Sequence, residues 1–238
     1  MSNGTKVKKR DGRIEPLDLD KMHLMVEEAC QGLAGVSASQ VEMKSGIQFY
    51  DGITTAEIQE ILIKAASDLI DLDHPNYQFV AARLLLFSLR KSLYGKMREL
   101  PDLETHINDC VGKEVYDSDI YTKYSKEEIE KVNSYIDHNR DFLFTYAGLR
   151  QVVDKYLVQD RSAGGVYETP QFMYIMIALT IFREYPKETR LSYVKRYYDA
   201  ISKHRINIPT PIMAGVRTPL RQFASCVLVD VDDTLDSI

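Results

Sequence analysis

The run Phe172–Phe182, FMYIMIALTIF, limits the fold more than any other stretch of this chain. It is apolar on every side of a helical wheel apart from Thr180. A helix here has no face to offer water and must be enclosed by other elements. It is also much shorter than the roughly 20 residues needed to cross a bilayer. Thr169 and Pro170, just ahead of it, suit the N-cap and first helical positions. The fold class expected is therefore α+β and mainly helical, with amphipathic helices packed around this one.

The surrounding pattern supplies those helices. Met22, Val26, Ala29, Cys30 and Leu33 share one face, and Gly32 and Gly35 punctuate its end. Ser37 with Gln40 resembles a capping box that opens a second helix towards Tyr50, where Asp51-Gly52 breaks it. Thr54 with Glu57 forms another box ahead of the stripe Ile58, Ile61, Leu62, Ala65, Ala66 and Leu69. A fourth helix runs from about Pro75 to Tyr94, with Gly95 as its stop signal. In front of all four, VKKRDGRIEPL at 7–17 reads as a β-hairpin. Asp11-Gly12 suits a two-residue type I′ turn, and Pro16 ends the pairing.

The segment around Pro101 reads as a connection to a second unit. There, Ser125 with Glu128 gives a third capping box, Leu149, Val153 and Tyr156 continue a buried face, and Gly164-Gly165 marks a turn. Leu191, Val194, Tyr198 and Ile201 form a further amphipathic stripe. The character then changes to INIPTPIMAGVRTPLRQFASCVLVDV, in which Pro209-Thr210-Pro211 reads as a loop and Cys226–Val229 as a buried strand. DDTLDSI beyond it looks like an opening helix capped by Asp232 or Asp233.

A formal charge of −5 argues against broad electrostatic binding to nucleic acid or an anionic membrane. Any polyanion bound must be small and held by a local cluster of cations. Lys6, Lys8, Lys9 and Arg10 on the hairpin, Lys21 early in the first helix and Lys91 late in the fourth provide one, with Glu15 and Asp18 as acceptors for a base or sugar. A solvated charged edge explains the same residues. Cys30, Cys110 and Cys226 are too scattered for a disulfide framework or a zinc site, and the histidines show no metal-ligand spacing. No metal site is expected. Cys226 reads either as a small buried hydrophobe or as a redox thiol. Ser225 and Thr210 suit phosphate donation or ordinary turn chemistry. Asp230, Asp232 and Asp233 lack the glycine and glutamate of a calcium loop. The first twenty residues hold no apolar signal-peptide core, and a reducing cytoplasm is expected.

The segments VKKRDGRIEPLDLDKM, IQFYDGITTAEIQEILIKAA, YQFVAARLLLFSLRKSLYG, YLVQDRSAGGVYETPQFMY, RLSYVKRYYDAIS and INIPTPIMAGVRTPLRQFASCVLVDVDDTLDSI resemble, in order, the amino-terminal portion of class I ribonucleotide reductase large (alpha) subunits. The likeness is strongest to enterobacterial and T4-like phage members. It implies an ATP-cone domain over 1–95, built from a β-hairpin and a four-helix bundle. Residues 96–238 would be the amino-terminal part of the catalytic domain: a helical lead-in and first strands of a ten-stranded α/β barrel. It implies an activity site for ATP or dATP, with Mg2+, at Val7, Lys9, Arg10, Glu15, Pro16, Leu17, Asp18, Leu19, Asp20, Lys21, Thr55 and Lys91. Cys226 would be a redox-active cysteine, Thr210 and Ser225 substrate contacts, and Asp233, Thr234 and Leu235 part of a dNTP specificity site.

The activity implied is reduction of ribonucleoside diphosphates by radical chemistry with a cysteine pair. No cofactor would be bound covalently. The partner thiol and the radical cysteine would lie on a downstream fragment, and the radical cofactor on a small (beta) subunit. A large-subunit homodimer and reduction by thioredoxin or glutaredoxin are implied too, in the cytoplasm, or a host's if the gene is phage-encoded. Alone, the chain would be inactive. Glu57, Gln59 and Ser88 depart from the aspartate and two histidines of members that dATP shuts down, which implies weak or absent inhibition. The alternative is a free-standing ATP/dATP-sensing module, which leaves residues 150–238 without a task.

Overall fold

The computed structural model describes residues 5–46, 48–160, 164–220, 223–232 and 234. Strands β1 (Lys6–Lys8) and β2 (Ile14–Pro16) lead into helices α1 (Leu19–Cys30) and α2 (Ala38–Gly46). Strand β3 (Ile53–Thr54) runs directly into α3 (Thr55–Ser67), followed by α4 (Tyr77–Tyr94). Next come α5 (Leu103–Gly112), α6 (Ile120–Lys123), α7 (Lys126–Asn133), a 3₁₀ segment His138–Leu143 and α8 (Tyr146–Lys155). Strands β4 (Gln159–Asp160) and β5 (Gly165–Val166) precede α9 (Pro170–Phe182), α10 (Lys187–Ser202) and α11 (Thr210–Gly215). The chain forms two compact units. The first comprises Met1–Asp102, Ile136–Lys155 and Glu168–Gln171, and the second Leu103–Tyr135, Tyr156–Tyr167 and Phe172–Ile238.

In the first unit, a small sheet ordered β2-β1-β3 lies beside the helices. β1 pairs antiparallel with β2 and parallel with β3, which sets Val7 opposite Ile53. Val26, Ala29, Val41, Ile53, Leu62, Ala66, Val80 and Leu86 are wholly buried and make the core. Each large aliphatic side chain among them contributes about 1.5–3 kcal/mol through loss of contact with water. α3 opens on the expected capping box: the Thr54 hydroxyl accepts from Glu57 N–H, and the Glu57 carboxylate accepts from Thr54 N–H. α4 ends where Gly95 turns left-handed at φ 72°.

Two local expectations are corrected here. The hairpin turn is not type I′, because that turn needs positive φ at both central residues and Asp11 does not have it. Gly12 N–H instead bonds Lys9 carbonyl at 3.0 Å, and Lys9 N–H bonds Arg13 carbonyl at 2.8 Å. Gly12 sits at φ 86°, the pattern of a three-residue loop with a bulge. At α2, Ser37 and Gln40 do not cap each other. The Tyr77 hydroxyl accepts from Ser37 N–H at 3.0 Å and donates to Gln40 Oε1 at 2.6 Å, so a residue from α4 closes that helix start.

In the second unit the apolar run of α9 is buried from Phe172 to Leu179. Its enclosure is partly polar. Tyr124 donates its hydroxyl to Leu179 carbonyl at 2.8 Å, and His106 stacks on Phe172 with centroids 4.0 Å apart. α7 opens on the expected Ser125–Glu128 box. Glu128 also accepts two bonds from Arg190 of α10, at 2.8 and 2.5 Å, and the Arg190 guanidinium lies 4.3 Å from the Tyr124 ring centroid.

The segment after α10 differs from expectation. Pro209-Thr210-Pro211 is not a loop: Thr210 begins α11, with proline in its first turn. Arg217, 1% exposed, donates to the carbonyls of Met213 and Tyr156. Cys226–Val229 has no regular structure and is exposed, not a buried strand. A strand is completed by hydrogen bonds from a neighbour, and none of the described residues lies alongside to supply them. The helix read after Asp232 falls on Asp233 and 235–238, which lie outside the described residues.

Candidate functional site

The hairpin, the start of α1 and the last turn of α4 bring four cations of the first unit into one another's fields. Lys91, half-buried on α4, has its ammonium pKa pushed below the usual lysine range. Burial is the largest cause, followed by the nearby charges of Arg10, Lys9 and Lys21. Only weak pairing offsets this crowding. Lys9 lies 3.4 Å from Glu15, and Lys21 lies 3.2 Å from Asp18. Arg10, pushed down by burial, donates to Gln59 Oε1 at 3.2 Å, a neutral acceptor. Lys91 makes no ion pair among the described residues.

The remaining residues of this group are placed by local structure. Val7 is buried on β1 between β2 and β3. Glu15 and Pro16 lie on β2, and Leu17 N–H bonds Thr5 carbonyl at 2.8 Å. Asp18 caps α1: its carboxylate accepts Lys21 N–H at 3.0 Å, which with the Lys21 side chain lowers its pKa. Leu19 and Asp20 are exposed on the first turn of α1, and Thr55 is the first residue of α3.

Glu57 and Gln59 are committed to different tasks. Glu57 accepts Thr54 N–H and Oγ1–H and, at 2.9 Å, the Tyr50 hydroxyl; these bonds, chiefly that from Thr54, hold its pKa below the carboxylate range. Gln59, 4% exposed, reaches Arg10 on one side and Met25 sulfur on the other. That link between α3 and the hairpin carried no signal in the sequence, because a glutamine in an apolar stripe reads as an ordinary helix residue.

The residues read towards the carboxyl end are not gathered into a site. Thr210 Oγ1 lies 3.5 Å from the Tyr156 hydroxyl, whereas Ser225 Oγ and Cys226 Sγ are neighbours 3.8 Å apart in the exposed segment. Thr234 N–H bonds Asp232 carbonyl, while Asp233 and Leu235 lie outside the described residues. Cys30 is half-buried with its thiol pushed up to about 11, mainly by burial, and Cys110 is buried beside His106. The raised pKa of Cys30 disfavours its thiolate. Among the described residues no cluster of His, Cys, Asp or Glu is placed to hold a metal, and no helix is long and apolar enough to cross a membrane.

The crowding has a measurable consequence. A lysine whose pKa is lower folded than unfolded destabilises the fold while charged. That penalty is present below the folded pKa and relieved as pH rises towards the ordinary lysine value of 10.5. Lys91→Met should therefore raise the melting temperature of the ligand-free protein at pH 7, and the gain should shrink as pH rises towards 10.5. Thermal unfolding followed by circular dichroism checks both. A lower melting temperature at pH 7 would show that Lys91 is held by favourable contacts instead.

Comparison with known proteins bears on both units. Residues 5–92 match the ATP cone domain, and residues 142–221 match the all-alpha domain of ribonucleotide reductase. All 238 residues align at 52% identity with the ribonucleoside-diphosphate reductase 1 subunit alpha of Escherichia coli and, equally, with subunit alpha of Haemophilus influenzae. The subunit alpha of Enterobacteria phage T4 is 43% identical over 232 residues, 97% of the chain. The chain spans 31% of the length of the first two relatives and 30% of the phage protein. Over its whole length the chain is similar to the amino-terminal part of ribonucleotide reductase alpha subunits, with a match to the ATP cone followed by a match to the all-alpha domain.

Proposed function

We propose that the first unit binds a nucleoside triphosphate, ATP or dATP, at Lys9, Arg10, Lys21 and Lys91, and that the chain serves as the regulatory amino-terminal part of a ribonucleoside-diphosphate reductase large subunit. The observation that carries this is Lys91, an ammonium with no ion pair among the described residues and within the fields of three other cations. A triphosphate replaces that repulsion with attraction, and Mg2+ would neutralise part of its remaining charge. Arg10 and Lys21 suit the phosphates, while Glu15 and Asp18 are placed to accept from the base and ribose. Val7, Pro16, Leu17, Leu19, Asp20 and Thr55 complete the walls.

In this reading the domains divide at 95, and 96–238 is the lead-in to a ten-stranded barrel. The exposed segment Cys226–Val229 supports it, because an apolar run left without a ladder suits a strand that pairs with a further part of the subunit. Cys226 supplies one of two thiols. Reduction of a ribonucleoside diphosphate takes two electrons from the pair, releases the 2′-hydroxyl as water and leaves a disulfide, which thioredoxin or glutaredoxin reduces. The second thiol and the radical cysteine come from the downstream polypeptide, and the radical originates on the beta subunit. Thr210 and Ser225 hold the substrate, and Asp233, Thr234 and Leu235 contribute to the dNTP specificity site of a homodimer working in the cytoplasm.

Two assays test the reading. With the chain joined to the remaining two thirds of the subunit and supplied with the beta subunit, Cys226→Ser should abolish dithiol-driven CDP reduction; surviving turnover refutes the role given to the thiol. In the same assay dATP should inhibit weakly, because Glu57 and Gln59 are occupied by Thr54, Tyr50 and Arg10 and Ser88 offers no imidazole. Complete shut-off at micromolar dATP would refute that part.

A further inference from the structure

Arg90 and Lys91 are consecutive on α4 and so project about 100° apart around its axis. Lys91 faces the cations of the hairpin and α1. Arg90, 5% exposed, faces the 3₁₀ segment His138–Leu143 instead. Its Nη2 donates to His138 carbonyl at 2.8 Å and to Asp141 Oδ2 at 2.9 Å. Asp141 is 1% exposed, and its other oxygen accepts from Gln171 Nε2 at 2.9 Å. Phe142 meets Phe87 of α4 edge-on at 6.3 Å and lies 5.4 and 5.6 Å from the guanidinium groups of Arg83 and Arg90. All of these residues belong to the first unit.

Adjacent positions of one helix therefore carry a cation crowded by like charge and a cation paired with a buried carboxylate. We infer that Arg90 is a positioning residue that couples anion binding at Lys91 to the docking of His138–Leu143 and, through Asp141, to Gln171 at the start of α9. This rests on the reading that a triphosphate occupies the Lys91 cluster. An anion there cancels the repulsion and pins the last turn of α4. Arg90 directly precedes that turn, so the groups bound to its side chain open less often. The receiving segment reaches into the all-alpha domain, whose match begins at residue 142. The coupling is energetic and reciprocal: a firmly docked segment holds α4 in the form that the anion prefers.

A buried ion pair broken on one side leaves an uncompensated charge and disturbs the fold, whereas replacing both partners by apolar side chains of similar size is tolerated. The test uses hydrogen exchange of the 238-residue chain with and without saturating ATP, in wild type and in the double variant Arg90→Met, Asp141→Leu. In wild type, ATP should slow amides of the hairpin and of 138–144, the latter by about fivefold or more. In the double variant the hairpin should still be slowed and 138–144 should not. Slowing confined to the hairpin in wild type, or full slowing of 138–144 in the double variant, overturns the coupling and leaves nucleotide binding standing. No slowing anywhere in wild type removes both.

Discussion

The repulsion among Lys91, Arg10, Lys9 and Lys21 is the constraint around which the first unit is organised. Nothing in the energetics of an empty protein favours it. A half-buried ammonium loses part of its hydration and gains no carboxylate in exchange, and every neighbour of like sign adds to the cost. Such an arrangement persists when a ligand reverses its sign, and a local conflict of this kind commonly marks a functional site. The elements that hold it are tied to one another. The hairpin is tied to β3 by parallel pairing, β3 runs without interruption into α3, and α3 lies along α4.

Several buried polar contacts bind these elements across long sequence distances. Gln59 joins α3 to Arg10 of the hairpin, Tyr77 of α4 closes the start of α2, and Arg83 of α4 donates to the carbonyls of Ala29 and Gln31 at the end of α1. α4 is thus the hub. It provides Lys91 to the cation cluster and Arg90 to Asp141 from adjacent positions. Buried polar contacts of this kind specify an arrangement more than they stabilise it, since desolvation offsets much of each bond.

Features that depend on neighbours in sequence were legible from the residues. The Thr54–Glu57 and Ser125–Glu128 boxes, the Gly95 stop and the buried run in α9 all stand in the structure as read. Features settled by distant residues were not. Ser37 and Gln40 have the spacing of a box, but Tyr77, 40 and 37 residues away, takes both. β3 is two residues long, too short for any alternation to register. Cys226–Val229 has the composition of a strand, yet a strand exists only with a partner. The cations of the candidate site were read from the residues as one cluster, and the family resemblance pointed to an overlapping set. Their convergence on Lys91, and the lock between Arg90 and Asp141, could not be read from one dimension.

Calorimetric titration of ATP into the wild-type chain and into Lys91→Met, each at 50 and 200 mM salt, tests the central claim most directly. Wild type should bind with an affinity that falls steeply with salt, and removal of this one cation should weaken binding by about tenfold or more while flattening the salt dependence. Equal affinity and equal salt dependence in the two proteins would contradict the account, because the cluster would then be a charged surface and not a triphosphate site.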